Sequence, residues 1–280
     1  MKKSRGHGFH MVDPSPWPVL TSIFVLGIAV GLVEWLSGSG LMTLGVSVLG
    51  LLVVASFWWR DVIRESVFQG RHTSLVKRGL KVGFVLFLVS EGSFFFSLFW
   101  AFFHSALAPT AYIGNHWPPT GVEPINPWKV PLLNTVVLVG SGVTLTWSHH
   151  SLRAGNLTKA VVGLVVTISM GVYFSWLQYN EYLMASFTIA DSVFGSTFYM
   201  LTGFHGLHVV VGTAFLVVCL YRMVSLHFAT SGSVGFKCAI WYWHFVDGVW
   251  VLVYLSVYVW GSWGTSWGSK TYKPMYYFSI

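Results

Sequence analysis

The chain has 280 residues, of which 54% are hydrophobic, 18% aromatic and only 9% charged, where a soluble domain carries roughly a quarter charged residues. That balance excludes water as the main solvent and predicts an all-α integral membrane protein, since about 20 apolar residues per helix cross a bilayer core about 30 Å thick. The formal net charge of +7 does not point to nucleic acid, because no water-facing domain is present to carry a basic face.

The first residues, MKKSRGHGFHMVDPSPWP, contain no apolar core followed by a small-residue cleavage site, so no removable signal peptide is expected. They are also too short and too poor in Arg and Ser for a transit peptide, which suits an organelle-encoded or a bacterial protein. Seven apolar runs then predict helices at about 17–36, 41–66, 73–106, 130–152, 157–183, 192–223 and 235–261 within a single membrane domain over 1–280. The second and third are longer than a bilayer core and must tilt or protrude. The connection HSALAPTAYIGNHWPPTGVEPINPWKVP, stiffened by prolines, predicts a rigid, non-helical cap. The C-terminal extension 263–280, rich in Trp and Tyr beside small residues, reads as an interfacial aromatic belt.

Cationic residues orient these spans, because short loops rich in Lys and Arg stay on the side of synthesis. Lys2, Lys3 and Arg5, the second connection (Arg60, Arg64, Arg71, Lys77, Arg78, Lys81), the fourth (Arg153, Lys159) and the sixth (Arg222, Lys237) all fall on one side. The other side receives only Lys129, Lys270 and Lys273. An odd number of crossings with the N-terminus inside follows.

Several residues could carry chemistry. Glu91 lies mid-span in LFLVSEGSFFFSLFW, where an ionised carboxylate would cost several kcal/mol unless paired. A protonated acid is expected there, bonded through Ser90, Ser93 or a histidine of another helix, and it serves either as a proton-sensitive site or as polar glue between helices. His205 and His208 in TGFHGLHVVVG share a helix face at i, i+3, and with His104 and His244 they leave a haem-binding multispan membrane cytochrome as a rival reading. The alternative is that these imidazoles hydrogen-bond between closely packed helices.

In WWRDVIRES, Arg60 and Arg64 are four apart and Asp61 can reach Arg64; backed by Trp58 and Trp59, the guanidiniums suit a phospholipid phosphate or simple anchoring. Arg222 and His227, like His149, His150 and Arg153, mark inner helix ends with the same two readings. Asp247 in WYWHFVDGVW needs a partner inside the seventh span, and His244 is one turn earlier. Cys219 and Cys238 have no metal-like spacing, and there is no Walker loop, dinucleotide glycine fingerprint, C-x-x-C-H or G-x-S-x-G. No catalytic residue and no metal site is predicted.

Read in order, HMVDPSPWP, WWRDVIRES, FQGRHT, LFLVSEGSFFFSLFWAFFHSALAPT, WPPTG, VPLLNT, SHHSL, FTIADSVFGSTFYMLTGFHGLHVVVGT and WYWHFVDGVW resemble the mitochondrial type of subunit III of the haem–copper cytochrome c oxidases, from about residue 10 to about 262. The resemblance implies seven helices divided into a two-helix and a five-helix bundle, separated by a V-shaped, lipid-filled cleft. It implies a subunit without haem or copper that stabilises subunit I and supports its proton uptake, with haem a and copper held by subunits I and II, and with accessory subunits and phospholipids as partners. The location implied is the mitochondrial inner membrane with the N-terminus in the matrix, the bacterial plasma membrane being the alternative. By position, Glu91 matches the family's buried, carbodiimide-reactive glutamate. Arg64, Glu65, His72, Arg222 and His227 match positions associated with cleft lipids, and His205 and His208 match histidines that are not ligands. The chain departs from the family at Ser225 and in continuing past Ser262, where the extension would give an added contact on the outer face.

Overall fold

The computed structural model of the chain describes residues 7–228 and 233–262. The extension 263–280, its aromatic belt, and the cations Lys2, Lys3, Arg5, Lys270 and Lys273 lie outside the described residues. Seven long apolar helices carry the fold: α1 (Trp17–Leu36), α2 (Met42–Val67), α3 (Ser74–Leu107), α4 (Val130–Arg153), α5 (Leu157–Met184), α6 (Ser192–Val224) and α7 (Val234–Val253). The last continues as π-helical turns over Tyr254–Trp260. No strand occurs among the described residues. A helix satisfies every backbone N–H and C=O within itself, which is what a hydrocarbon solvent demands.

Local chemistry sets the helix ends. A proline stands at the first turn of α1 and of α4, where its missing N–H has no intrahelical partner to lose. Asn156 caps α5 by accepting from the Lys159 N–H at 3.0 Å. Just before it, Gly155 takes φ +80°, which lets α4 turn directly into α5.

The chain divides into two compact units, residues 1–82 and 83–280, with the division inside α3. In the first, α1 and α2 pack closely along glycines: a Cβ on Gly31 would lie 2.5 Å from the Leu44 backbone nitrogen, and one on Gly50 would strike the Phe24 ring. Trp17 stacks on Phe57 and donates its indole N–H to Asp61 at 2.9 Å. The N-terminal segment is tied to the α2–α3 connection, where the Thr73 hydroxyl donates to the Gly8 carbonyl at 2.5 Å and Arg71 pairs with Asp13 at 3.1 Å.

In the second unit, α4, α5, α6 and α7 pack on one another in that order, and α7 returns to α4. Phe102, Leu138, Leu145, Leu164, Phe174, Trp243 and Trp250 fill the core. The two indoles meet hydroxyls on α4: Trp243 donates to Ser141 at 2.8 Å and Trp250 to Thr135 at 3.0 Å. Between α3 and α4 the proline-rich connection carries one 3-10 turn, Ala111–Ile113, and packs a half-buried Trp117 against Phe102 and Phe194. It folds as an ordered cap rather than a free loop.

Candidate functional site

Three helices of the second unit bring the polar groups together. On α3, Glu91 Oε2 lies 3.0 Å from His208 Nε2 on α6. The other ring nitrogen, Nδ1, lies 2.7 Å from the Phe204 carbonyl. A carbonyl only accepts, so Nδ1 carries a proton, and the proton between Nε2 and Glu91 is shared by the pair, as a neutral acid on a neutral imidazole or as carboxylate and imidazolium. Both forms leave the site with no net charge, which is what the bilayer tolerates. Phe95 stands edge-on to the imidazole at 5.1 Å and Tyr242 stacks on it at 6.2 Å. Ser90 and Ser93 do not serve Glu91, since their hydroxyls donate to the Phe87 and Val89 carbonyls.

His205, one turn before His208, is fully buried and serves a different neighbour. Its Nε2 lies 3.2 Å from the Val246 carbonyl of α7, with its ring between Phe174 and Trp250. The two imidazoles therefore do not converge on one point. His104 is exposed on α3 and joins neither. His244 and Asp247 stand 3.5 Å apart on α7. Among the described residues no three His, Cys, Asp or Glu side chains gather in a metal-holding group.

The lipid candidates occupy two places. Trp59 and Arg64 are exposed on α2. Asp61 differs from expectation: it pairs with the adjacent Arg60 at 3.0 Å and accepts from Trp17, not from Arg64, because the indole reaches across from α1 and fixes the carboxylate. Arg64 keeps its guanidinium available. Glu65 and His72 come together around His10, with Glu65 3.4 Å from its Nε2 and the His72 ring at 5.8 Å. Burial, with His10 and Lys77 nearby, holds the His72 imidazole below its ordinary range despite the opposing pull of Glu65. Arg222 lies over the Phe228 ring at 4.7 Å, and His227 stands edge-on to Tyr221.

Two groups escape a reading of the sequence. His10 lies far along the chain from the residues it joins. Glu181 is three residues from the end of α5, where QYNEYLM reads as interfacial, yet it is buried. Its Oε1 accepts from the Tyr258 hydroxyl at 2.6 Å and from Gln178 at 3.3 Å, and Gln178 in turn accepts from Asn134 at 3.2 Å. This chain of amides and a carboxyl ties α4, α5 and the end of α7 together.

The sequence matches the family described as cytochrome c oxidase subunit III over residues 7–262. Among curated proteins it is similar to cytochrome c oxidase subunit 3 of Coturnix japonica, 53% identical over 258 residues, covering 92% of this chain and 99% of that one. It is 53% identical over 256 residues to cytochrome c oxidase subunit 3 of Equus caballus, covering 91% and 98%, and 52% identical over 260 residues to that of Lemur catta, covering 93% and 95%.

Proposed function

The chain belongs to the cytochrome c oxidase subunit III family, a constituent of the terminal oxidase, and on that premise we propose that it is a non-redox core subunit of the complex in the mitochondrial inner membrane. In this role it stabilises subunit I, sustains proton uptake there and holds phospholipids, while haem a and copper reside in partner subunits. The observation that carries this reading is how the membrane histidines are used: His208 is engaged with Glu91 and Phe204, and His205 with Val246. The bonds to Glu91 and Val246 join α6 to α3 and to α7, as interhelical glue does, while the bond to Phe204 orients the His208 ring within α6.

Arg64 and Arg222 would hold lipid phosphates, flanked by Trp59 and Glu65 with His72 in one unit and by His227 in the other. Arg222 is absent from the ion pairs among the described residues, so its charge is available to an anionic headgroup. The test is a visible absorption spectrum with metal analysis, taken on the oxidase complex and on this chain purified from it. Haem and copper in the complex and in neither amount on the chain supports the proposal. Stoichiometric haem on the isolated chain overturns it in favour of a membrane cytochrome.

A further inference from the structure

Where α4, α5 and the π-helical end of α7 meet, the second unit buries a carboxyl without a cation. Glu181 is 5% exposed, and it enters no ion pair among the described residues. Asn134, Gln178 and Tyr258, all buried, complete the cluster.

Their hydrogen bonds leave two atoms over. Tyr258 gives its hydroxyl proton to Glu181 Oε1 at 2.6 Å. Gln178 Nε2 lies 3.3 Å from Glu181 Oε1 and 3.3 Å from the Tyr258 oxygen, which takes up both of its N–H groups. The Gln178 carbonyl accepts from Asn134 Nδ2 at 3.2 Å. Glu181 Oε2 and Asn134 Oδ1 remain, each enclosed by protein and without a hydrogen bond. Turning the Gln178 amide over alone would set its carbonyl against Glu181 Oε1 and its NH2 group against that of Asn134. Tyr182 offers no help, since its hydroxyl donates to Thr202 at 2.7 Å and Thr202 donates to the Phe198 carbonyl at 2.7 Å.

A carboxylate at this place would be buried, unpaired and bare at one oxygen, so the neutral acid is the form the site favours. With two donors already on Oε1, the acid proton belongs on Oε2. An O–H without an acceptor and an amide carbonyl without a donor are both costly inside a protein. Water offers an acceptor to the first and a donor to the second, and buried polar atoms of this kind are where folded proteins hold it.

We propose that Glu181 carries its proton on Oε2 and donates it to an ordered water, which donates in turn to Asn134 Oδ1. The junction of α4, α5 and α7 is then a built hydration site with a neutral acid as its anchor. This rests on bonds within the chain and not on the role proposed above, so either can fail without the other.

The test has two readings on the assembled complex. Infrared difference spectra between the wild type and Glu181→Gln at neutral pH should show the loss of one protonated-carboxyl C=O band and no loss of carboxylate stretch; Glu91 is common to both samples and cancels. A map that resolves water should place one oxygen about 2.5–3.0 Å from both Glu181 Oε2 and Asn134 Oδ1. Glu181→Gln keeps a carbonyl for Tyr258 and puts an N–H where the acid proton was, so it should assemble at the wild-type level and retain the water. Asn134→Leu should lose it, and if that variant does not assemble the wild-type map decides alone. Loss of a carboxylate band in place of the acid band overturns the proposal. So does a map in which Oε2 bonds directly to a group of this chain or of another subunit, or one in which the water survives Asn134→Leu unchanged.

Discussion

Glu91 and His208 hold one proton between them, and that sets what substitution does. In Glu91→Gln the amide N–H can donate to His208 Nε2 in place of the acid, so the bond between α3 and α6 survives. The complex is expected to assemble with its thermal midpoint nearly unchanged. Glu91→Ala removes the donor and leaves Nε2 facing Phe95 and Tyr242, a loss of about 1 kcal/mol by the scale of interhelical hydrogen bonds in membranes. Thermal melts of the two variants check this, and loss of assembly in Glu91→Gln would refute the shared-proton account. At the other residue cluster, His72 is held below its ordinary value, so the neutral ring is the form the fold favours. A depressed imidazole contributes stability that is present above the unfolded value of about 6.5 and is lost as pH falls through the folded value. The N-terminal segment, tied to the same connection through Thr73 and Arg71, should therefore become more susceptible to protease as pH drops from about 7 to about 5. His72→Phe, which has nothing to titrate, should flatten that dependence.

Helices are the scale at which packing divides the chain. α1 buries only Gly31 and α2 only Ser47 and Val54, whereas α6 buries eleven residues and α7 as many, so α1 and α2 depend on each other's glycines for contact. A Gly31→Ala methyl would press on the Leu44 backbone, which cannot rotate away, and overpacking of this kind costs about 1–3 kcal/mol. Gly45→Ala on α2 meets nothing within 4 Å and should gain up to about 1 kcal/mol of helix propensity. Opposite shifts in thermal stability for the two variants are the expected result, and a shared direction would mean that the glycines do not set the α1–α2 contact. The extents of these helices were legible in the sequence because hydrocarbon imposes length and polar residues mark the edges: the expected 130–152 became Val130–Arg153, and 192–223 became Ser192–Val224. Which face of each helix meets protein was not legible, since both faces are apolar when lipid is the solvent. That is why the burial of Glu181 and the π-helical turns at Tyr254–Trp260 had no signature in the pattern. The pairing of Glu91 with a histidine of another helix was open in the sequence, because helical periodicity supplies candidates while only tertiary packing selects His208 over His205 or His244.

Across the described residues, seven helices long and apolar enough to cross a membrane would bring residues 7 and 262 to opposite sides, and charge is expected to choose which side is which. The second, fourth and sixth connections carry Arg64, Arg71, Arg153, Lys159 and Arg222, while the capped connection between α3 and α4 carries only Lys129. Since short basic loops remain where synthesis occurs, the N-terminus and those connections are expected in the matrix and the cap on the opposite face. Single cysteines can read this directly, because Cys219 and Cys238 are buried and should stay silent toward an impermeant maleimide. Thr110→Cys, on the exposed start of the cap, should label only from outside the inner membrane, and Ser225→Cys, at the exposed end of α6, only in inverted vesicles. Labelling of both from one side would mean that a span between them fails to cross. Labelling of each from the wrong side would mean that the complex, through its partner subunits, overrides the charge asymmetry of this chain.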